Sequence, residues 1–238
     1  MNRLTRNALL GTAATAALVA GACVPAFAAG STSSPSHTPR TLASIQAAAQ
    51  TQTSKREASL HTVIGKITAA KGISSADRST VLATLNTDLS AMSSLETKIA
   101  ADTTVASAAA DFKTIDTTYR VYAVAIRQAH LASATDRLTS MAIPRLTAAH
   151  AKLAAALAGR DAAKSTPALQ ADLTDMAAQI TSAGNALSGV SAQALAVTPA
   201  EFNANKAVLT PIRASVKAAA ADLKKALTDA KTIRAALK

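Results

Sequence analysis

Apolar residues recur at intervals of three and four along most of the chain, and this spacing predicts long amphipathic α-helices. The longest such segment covers residues 118–157. Its apolar stripe consists of Leu131, Leu138, Leu146 and Leu153 with Ala134, Ala142, Ala149 and Ala156 between them. Pro144 lies within the one step of eight residues, so we expect a single helix of about 60 Å with a bend at the proline.

Two further helices are predicted before this one. The first covers residues 41–71, and its polar middle, residues 51–57, predicts that the helix frays or breaks there. The second covers residues 75–100 and begins after Ser74, which with Asp77 resembles a capping box. Residues 101–117 connect it to the long helix, and the pattern does not place a helix start there. The possible caps are Asp102, Thr103, Asp111 and Asp116.

The C-terminal part of the chain shows heptad spacing. One seam consists of Leu169, Leu173, Met176, Ile180, Ala183, Leu187, Val190 and Ala194. The other consists of Leu209, Ile212, Val216, Ala219, Leu223, Ala226, Ala230, Ile233 and Leu237. A capping box at Thr198, Pro199 and Glu201 begins the last helix, which Pro211 should bend. About four residues join the two helices, so we expect them to be antiparallel.

These patterns together predict an all-α fold. We expect residues 41–238 to form one domain, an elongated bundle of about five long antiparallel helices with coiled-coil-like heptad packing. Alanine makes up about a quarter of the chain, which favours helix but contributes little apolar area. The predicted protein is therefore highly helical and only modestly stable.

The N-terminus has the pattern of an export signal over residues 1–28. Arg3 and Arg6 precede an apolar run, and Ala26-Phe27-Ala28 is a small-x-small cleavage site. One alternative is a retained membrane anchor, but the apolar run is short for one and is followed at once by the cleavage site. The other is a lipoprotein attached through Cys23, but Ala20 stands where that processing favours a large aliphatic residue. We therefore expect cleavage after Ala28, followed by a disordered Ser/Thr/Pro linker over residues 29–40. The expected location is secreted or associated with the cell envelope.

One segment resembles a known group of proteins. Residues 115–122, IDTTYRVY, followed by Arg127, His130 and Asp136-Arg137, are similar to a segment of uncharacterised, alanine-rich exported helical proteins of high-GC Gram-positive bacteria. Residues 73–102 and 198–238 also resemble that group. The resemblance implies an all-helical exported protein and assigns no functional residue.

Motifs for enzymatic chemistry are not found in the sequence. It contains no His-Glu-x-x-His, no Glu-x-x-His pair, no cysteine pair, no Gly-rich phosphate loop and no Gly-x-Ser-x-Gly. His130 and Asp136 are six residues apart and would lie on different faces of a helix. We therefore expect neither a metal site nor a cofactor, and we do not expect an enzyme.

Two clusters are candidate binding residues. The first consists of Tyr119, Arg120, Tyr122 and Arg127, which have the chemistry to hold a sugar, a peptide or an anionic polymer. The structural alternative, which we favour, is that the tyrosines anchor the helix start while Arg120 pairs with Asp116.

The second cluster is identified from the distribution of charge along the chain. Without Arg3 and Arg6 the chain has 23 Lys and Arg against 14 Asp and Glu, a net charge of +9, of which residues 198–238 hold +5. Lys217, Lys224, Lys231 and Lys238 are spaced by seven and form one stripe on the last helix. The stripe is either a solvated face or a docking surface for anionic cell-wall polymers or lipid. Nucleic acid is not expected, because no aromatic residues lie among the lysines.

The sequence therefore indicates an exported, non-enzymatic protein of the cell envelope or extracellular space that acts through its basic C-terminal helix. The alternative is an amphipathic-helix protein that binds lipid or another amphiphile, with Pro144 and Pro211 as hinges that open the seams. The pattern leaves the oligomeric state open, and a homodimer through the heptad seams is compatible with it.

Overall fold

The computed structural model describes residues 40–238. The predicted export signal, Cys23 and all of the predicted linker except Arg40 lie outside the described residues. The described part of the chain is all-helical and contains no strand. Its α-helices are α1 (Leu42–Ala69), α2 (Ser75–Ala101), α3 (Val105–Thr114), α4 (Ala125–Arg137), α5 (Ile143–Ala158), α6 (Pro167–Leu187), α7 (Val190–Ala196), α8 (Pro199–Ala204) and α9 (Thr210–Ala236).

The predicted break in the first helix is wrong, because α1 is continuous through its polar middle. Two of the polar residues there, Thr53 and Arg56, are buried with partners. Thr53 Oγ1 donates to Glu96 Oε2 of α2 at 2.6 Å, and Arg56 Nη2 donates to Asp116 Oδ1 at 2.7 Å. Paired polar groups can lie in a core at little cost, so a polar stretch does not end the helix.

The capping predictions were partly right. Ser74 Oγ accepts from the Asp77 backbone N–H at 3.0 Å, but the Ser74 N–H donates to Asp136 of α4 instead of to Asp77. α3 begins at a residue outside the predicted set, because Thr104 caps it. The capping box of Thr198 and Glu201 is confirmed, and it begins the short helix α8.

The predicted long helix begins later than expected. Residues 115–119 form a π-helical turn and residues 121–124 a further turn, so the helix starts at Ala125, after both tyrosines. A second π-helical turn, Leu138–Ala142, lies immediately before Pro144 and joins α4 to α5. Pro144 therefore follows a wider π-helical turn, an interruption of the α-helical hydrogen-bond pattern that is expected where a proline lacks its N–H.

The prediction that about four residues join the last two long helices is also wrong. α6 ends at Leu187, because Ser188 is extended and Gly189 has a left-handed φ of 70° that favours glycine. α7 and α8 therefore both lie between α6 and α9. The start of α6 nevertheless packs on the end of α9, since Leu169 clusters with Ile233, whereas Leu187 clusters with Leu223. The two helices are thus antiparallel.

Candidate binding groove

A groove runs between the α4–α5 segment and α9, which lie side by side in the same direction. Its first section is lined by residues 127–131 and 206–213, its second by 134–145 and 216–220, and its third by 145–153 and 227–234. Arg145 lines both the second and the third section. From residue 127 to residue 153 the groove is about 40 Å long, at about 1.5 Å per helical residue.

The floor of the groove is apolar. It contains the stripe predicted on the long helix, whose leucines and alanines are half-buried. Beneath the floor, Ile143 and Leu146 of α5 pack on Met176 and Ile180 of α6. Leu227 of α9 also lines the third section, and it is 45% exposed. Short alanine side chains fill little of the space between the helices, so the leucines beside them remain accessible to solvent.

The rims of the groove are basic. The α4–α5 segment contributes Arg127, Arg137, Arg145 and Lys152, and the other side contributes Lys206, Arg213, Lys231 and Arg234. No Asp or Glu lines any of the three sections. None of these eight cations forms a salt bridge with a carboxylate of residues 40–238. The groove is therefore a continuous positive surface with an apolar centre.

The predicted lysine stripe lies next to this groove. Lys217, Lys224, Lys231 and Lys238 are all exposed, and Lys231 also lines the third section. A repeat of seven drifts by about 20° per heptad around a straight helix. The stripe therefore approaches the groove toward the C-terminus, and the two together form one surface, which we call the basic face.

The carboxylates of α9 lie away from the basic face. Asp222 accepts a hydrogen bond from Ser182 Oγ of α6 at 2.8 Å, and desolvation raises the pKa of Asp229, although its hydrogen bond with Gln179 of α6 has the opposite effect. Both acids thus face α6. The charge of α9 is separated into an acidic side against α6 and a basic side along the groove.

The structure separates the residues of the first candidate cluster, Tyr119, Arg120, Tyr122 and Arg127. Tyr119 packs on the core formed by α1–α4. The Tyr122 hydroxyl donates to the Lys55 carbonyl at 3.0 Å, and Arg56 lies 5.0 Å from the centre of the Tyr122 ring. The expected pair of Arg120 with Asp116 is wrong, since Asp116 pairs with Arg56.

Arg120 instead contacts α8 and the turn after it. Its Nε donates to Asn203 Oδ1 at 2.8 Å, and Lys206 Nζ donates to the same oxygen at 3.0 Å. Both cations also lie over the Phe202 ring, at 5.6 and 4.9 Å from its centre. Desolvation lowers the pKa of Lys206, and the neighbouring Arg120 charge acts in the same direction. The structure thus places Arg120 beside Lys206 at one end of the groove, and Arg127 on the rim.

The described residues, 40–238, hold neither a candidate metal-ligand cluster nor a candidate membrane-spanning helix. No group of three or more His, Cys, Asp or Glu side chains converges there as metal ligands. Each helix of this part of the chain falls short of the length or apolar character needed to cross a bilayer. Comparison with family models, curated proteins and solved structures finds no match to this chain.

Proposed function

We propose that this chain is an exported, non-enzymatic protein of the cell envelope or extracellular space that binds anionic polymers of the envelope through its basic face. The observation that carries this proposal is the row of eight groove cations with no carboxylate among the lining residues. A surface of one charge sign concentrates polyanions and accelerates their association. The elongated, heptad-packed bundle expected from the sequence suits such a role, because it presents this face along a row of helical turns.

The test is co-sedimentation of the exported chain, residues 29–238, with purified Gram-positive cell walls. We expect binding at low salt that weakens as salt is added, because screening shortens the range of exposed charges. Replacing all four stripe lysines, Lys217, Lys224, Lys231 and Lys238, by glutamate should abolish the binding.

A matched control separates the basic face from net charge. Lys55, Lys66, Lys71 and Lys113 are exposed lysines on or beside α1 and α3. Changing these four to glutamate alters the net charge equally and should leave most of the binding. Absence of binding at low salt, or equal losses in the two variants, would contradict the proposal.

A second candidate function is the binding of an amphiphile. One observation favours it, which is that the basic rims enclose an apolar floor with an exposed leucine. A polyanion uses the rims alone and leaves this floor in water. The hinge form of this function expected from the sequence is not required, because the groove is open without separation of the helices.

A further inference from the structure

The third section of the groove, lined by residues 145–153 and 227–234, combines exposed apolar surface with a rim of cations. Leu227 is 45% exposed, and in the described part of the chain only Val105 and Tyr122 are comparable large apolar residues on the surface. Leu146 and Leu153 lie half-buried across the section from it. A ligand that covers this exposed apolar surface lowers the free energy by removing it from water.

The same section is enclosed by four cations. Arg145 and Lys152 lie on the α5 rim, and Lys231 and Arg234 lie on the α9 rim. A neutral lipid would cover the floor but leave the cations without partners. A polyanion would neutralise the cations but leave the leucines in water. Only a ligand with an apolar chain and an anionic head matches both parts of the section.

We propose that this section binds a single-chain anionic amphiphile of the long-chain fatty acid class. The acyl chain lies on the floor between Leu227 and Leu153, and the carboxylate binds a rim cation. This inference rests on the proposed function insofar as both use the cations of the basic face.

The shape of the section favours one chain over larger occupants. Its volume is about 470 Å³, within the range of small-molecule sites, about 300–1,000 Å³. A helix about 10 Å wide and three turns long occupies roughly 1,300 Å³, so most of it would lie outside the section.

The experiment is a titration of the ¹⁵N-labelled exported chain with tetradecanoate below its micelle concentration, followed by ¹H–¹⁵N NMR. We expect shifts confined to α5 and α9 around the section. Shortening the ligand to dodecanoate should weaken binding about fourfold, the effect of losing two half-buried methylenes. The cation tetradecyltrimethylammonium, with the same tail, should bind much more weakly.

Paired variants test the two parts of the section. Leu227→Gln should weaken tetradecanoate binding about fivefold, whereas Val105→Gln, at an equally exposed site on α3, should leave it unchanged. Lys231→Gln with Arg234→Gln should weaken it more than Lys66→Gln with Lys71→Gln, which remove two exposed lysines outside the groove. Both exposed positions tolerate polar residues, so these variants should remain folded.

Several results would overturn the inference. These are shifts outside the section, equal effects of Leu227→Gln and Val105→Gln, or binding of an acidic amphipathic peptide or of phosphatidylglycerol vesicles without binding of monomeric tetradecanoate. Failure of the proposed function is distinguishable, since it appears as lost cell-wall binding while tetradecanoate still binds at Leu227. Cell-wall binding that persists without any binding of tetradecanoate would overturn this inference alone.

Discussion

The N-terminal and C-terminal regions of the fold are both helical, but they bury apolar area differently. α1, α2, α3 and the start of α4 share one continuous core, whose large side chains include Leu60, Leu85 and Met92, each fully buried. α5, α6 and α9 instead pack through three smaller clusters, in which Ala183, Ala219 and Ala226 are fully buried. The first region closes its core, whereas the second leaves a groove.

The difference shows how the same helical periodicity leads to different surfaces. Large residues at the seam fill the space between helices and exclude water. Alanines allow the helices to approach closely, but they leave the leucines on either side half-exposed. The C-terminal region gives up apolar burial, and therefore stability, where the basic face lies.

The largest expected effect is a cavity in the N-terminal core. Leu85→Ala should lower the free energy of unfolding by about 3 kcal/mol, because the fully buried side chain leaves a cavity that its neighbours fill only partly. Leu227→Ala in the groove should cost less than about 1 kcal/mol, since Leu227 is already exposed to water. Urea unfolding measures both, and equal losses would contradict the contrast between the regions.

The fold could be predicted from the sequence to the level of helices and their apolar faces. Periodicity identified the faces because burial follows the 3.6-residue repeat, and the predicted seam positions on α6 and α9 are buried or half-buried. Periodicity failed where tertiary contacts or backbone angles determine whether a helix continues or ends. Thr53 and Arg56 stay helical because Glu96 and Asp116 pair with them, and Gly189 ends α6 through a backbone angle that spacing does not encode.

The candidate site could be predicted only in part, for a similar reason. The lysine stripe lies on one helix, so its spacing of seven is visible in the sequence. The opposite rim lies on α4 and α5. Its Arg137, Arg145 and Lys152 belong to the same site as the stripe only because those helices pack beside α9. The spacing of seven between Arg145 and Lys152 could have indicated a second basic stripe. The register between α5 and α9, which places the two stripes on one groove, cannot be predicted from spacing.

A smaller effect is expected from overfilling the C-terminal region. Ala219 is fully buried where α9 packs against α6, so Ala219→Leu should force the helices apart and cost about 2 kcal/mol. Ala221→Leu, at an exposed position of the same helix, should change stability by less than about 0.5 kcal/mol. Thermal unfolding of the two variants gives the comparison. If Ala219→Leu were neutral, close alanine packing would not explain the groove.

The smallest expected effect concerns pH and the N-terminal region. Burial raises the pKa of Asp88 on α2 to about 6, so the folded chain holds this proton more tightly than the unfolded chain. The contribution of Asp88 to stability therefore rises as pH falls from about 7 to about 4. Desolvation also raises the pKa of Asp136 and of Asp229, which act in the same direction in the wild type.

Asp88→Asn isolates the contribution of Asp88 from that of Asp136 and Asp229. The asparagine side chain is uncharged at every pH, so the variant should be more stable than the wild type by about 1 kcal/mol at neutral pH, a value discounted for partial exposure. The difference should shrink as the pH falls through about 4 and approach zero at about pH 3, because only below the unfolded pKa of 3.8 is the wild-type carboxyl mostly protonated in both states. Urea unfolding of both proteins across this range measures the difference. A constant difference, or a less stable variant at neutral pH, would mean that the charged Asp88 is stabilised by its surroundings and that the N-terminal core excludes water less than its packing indicates.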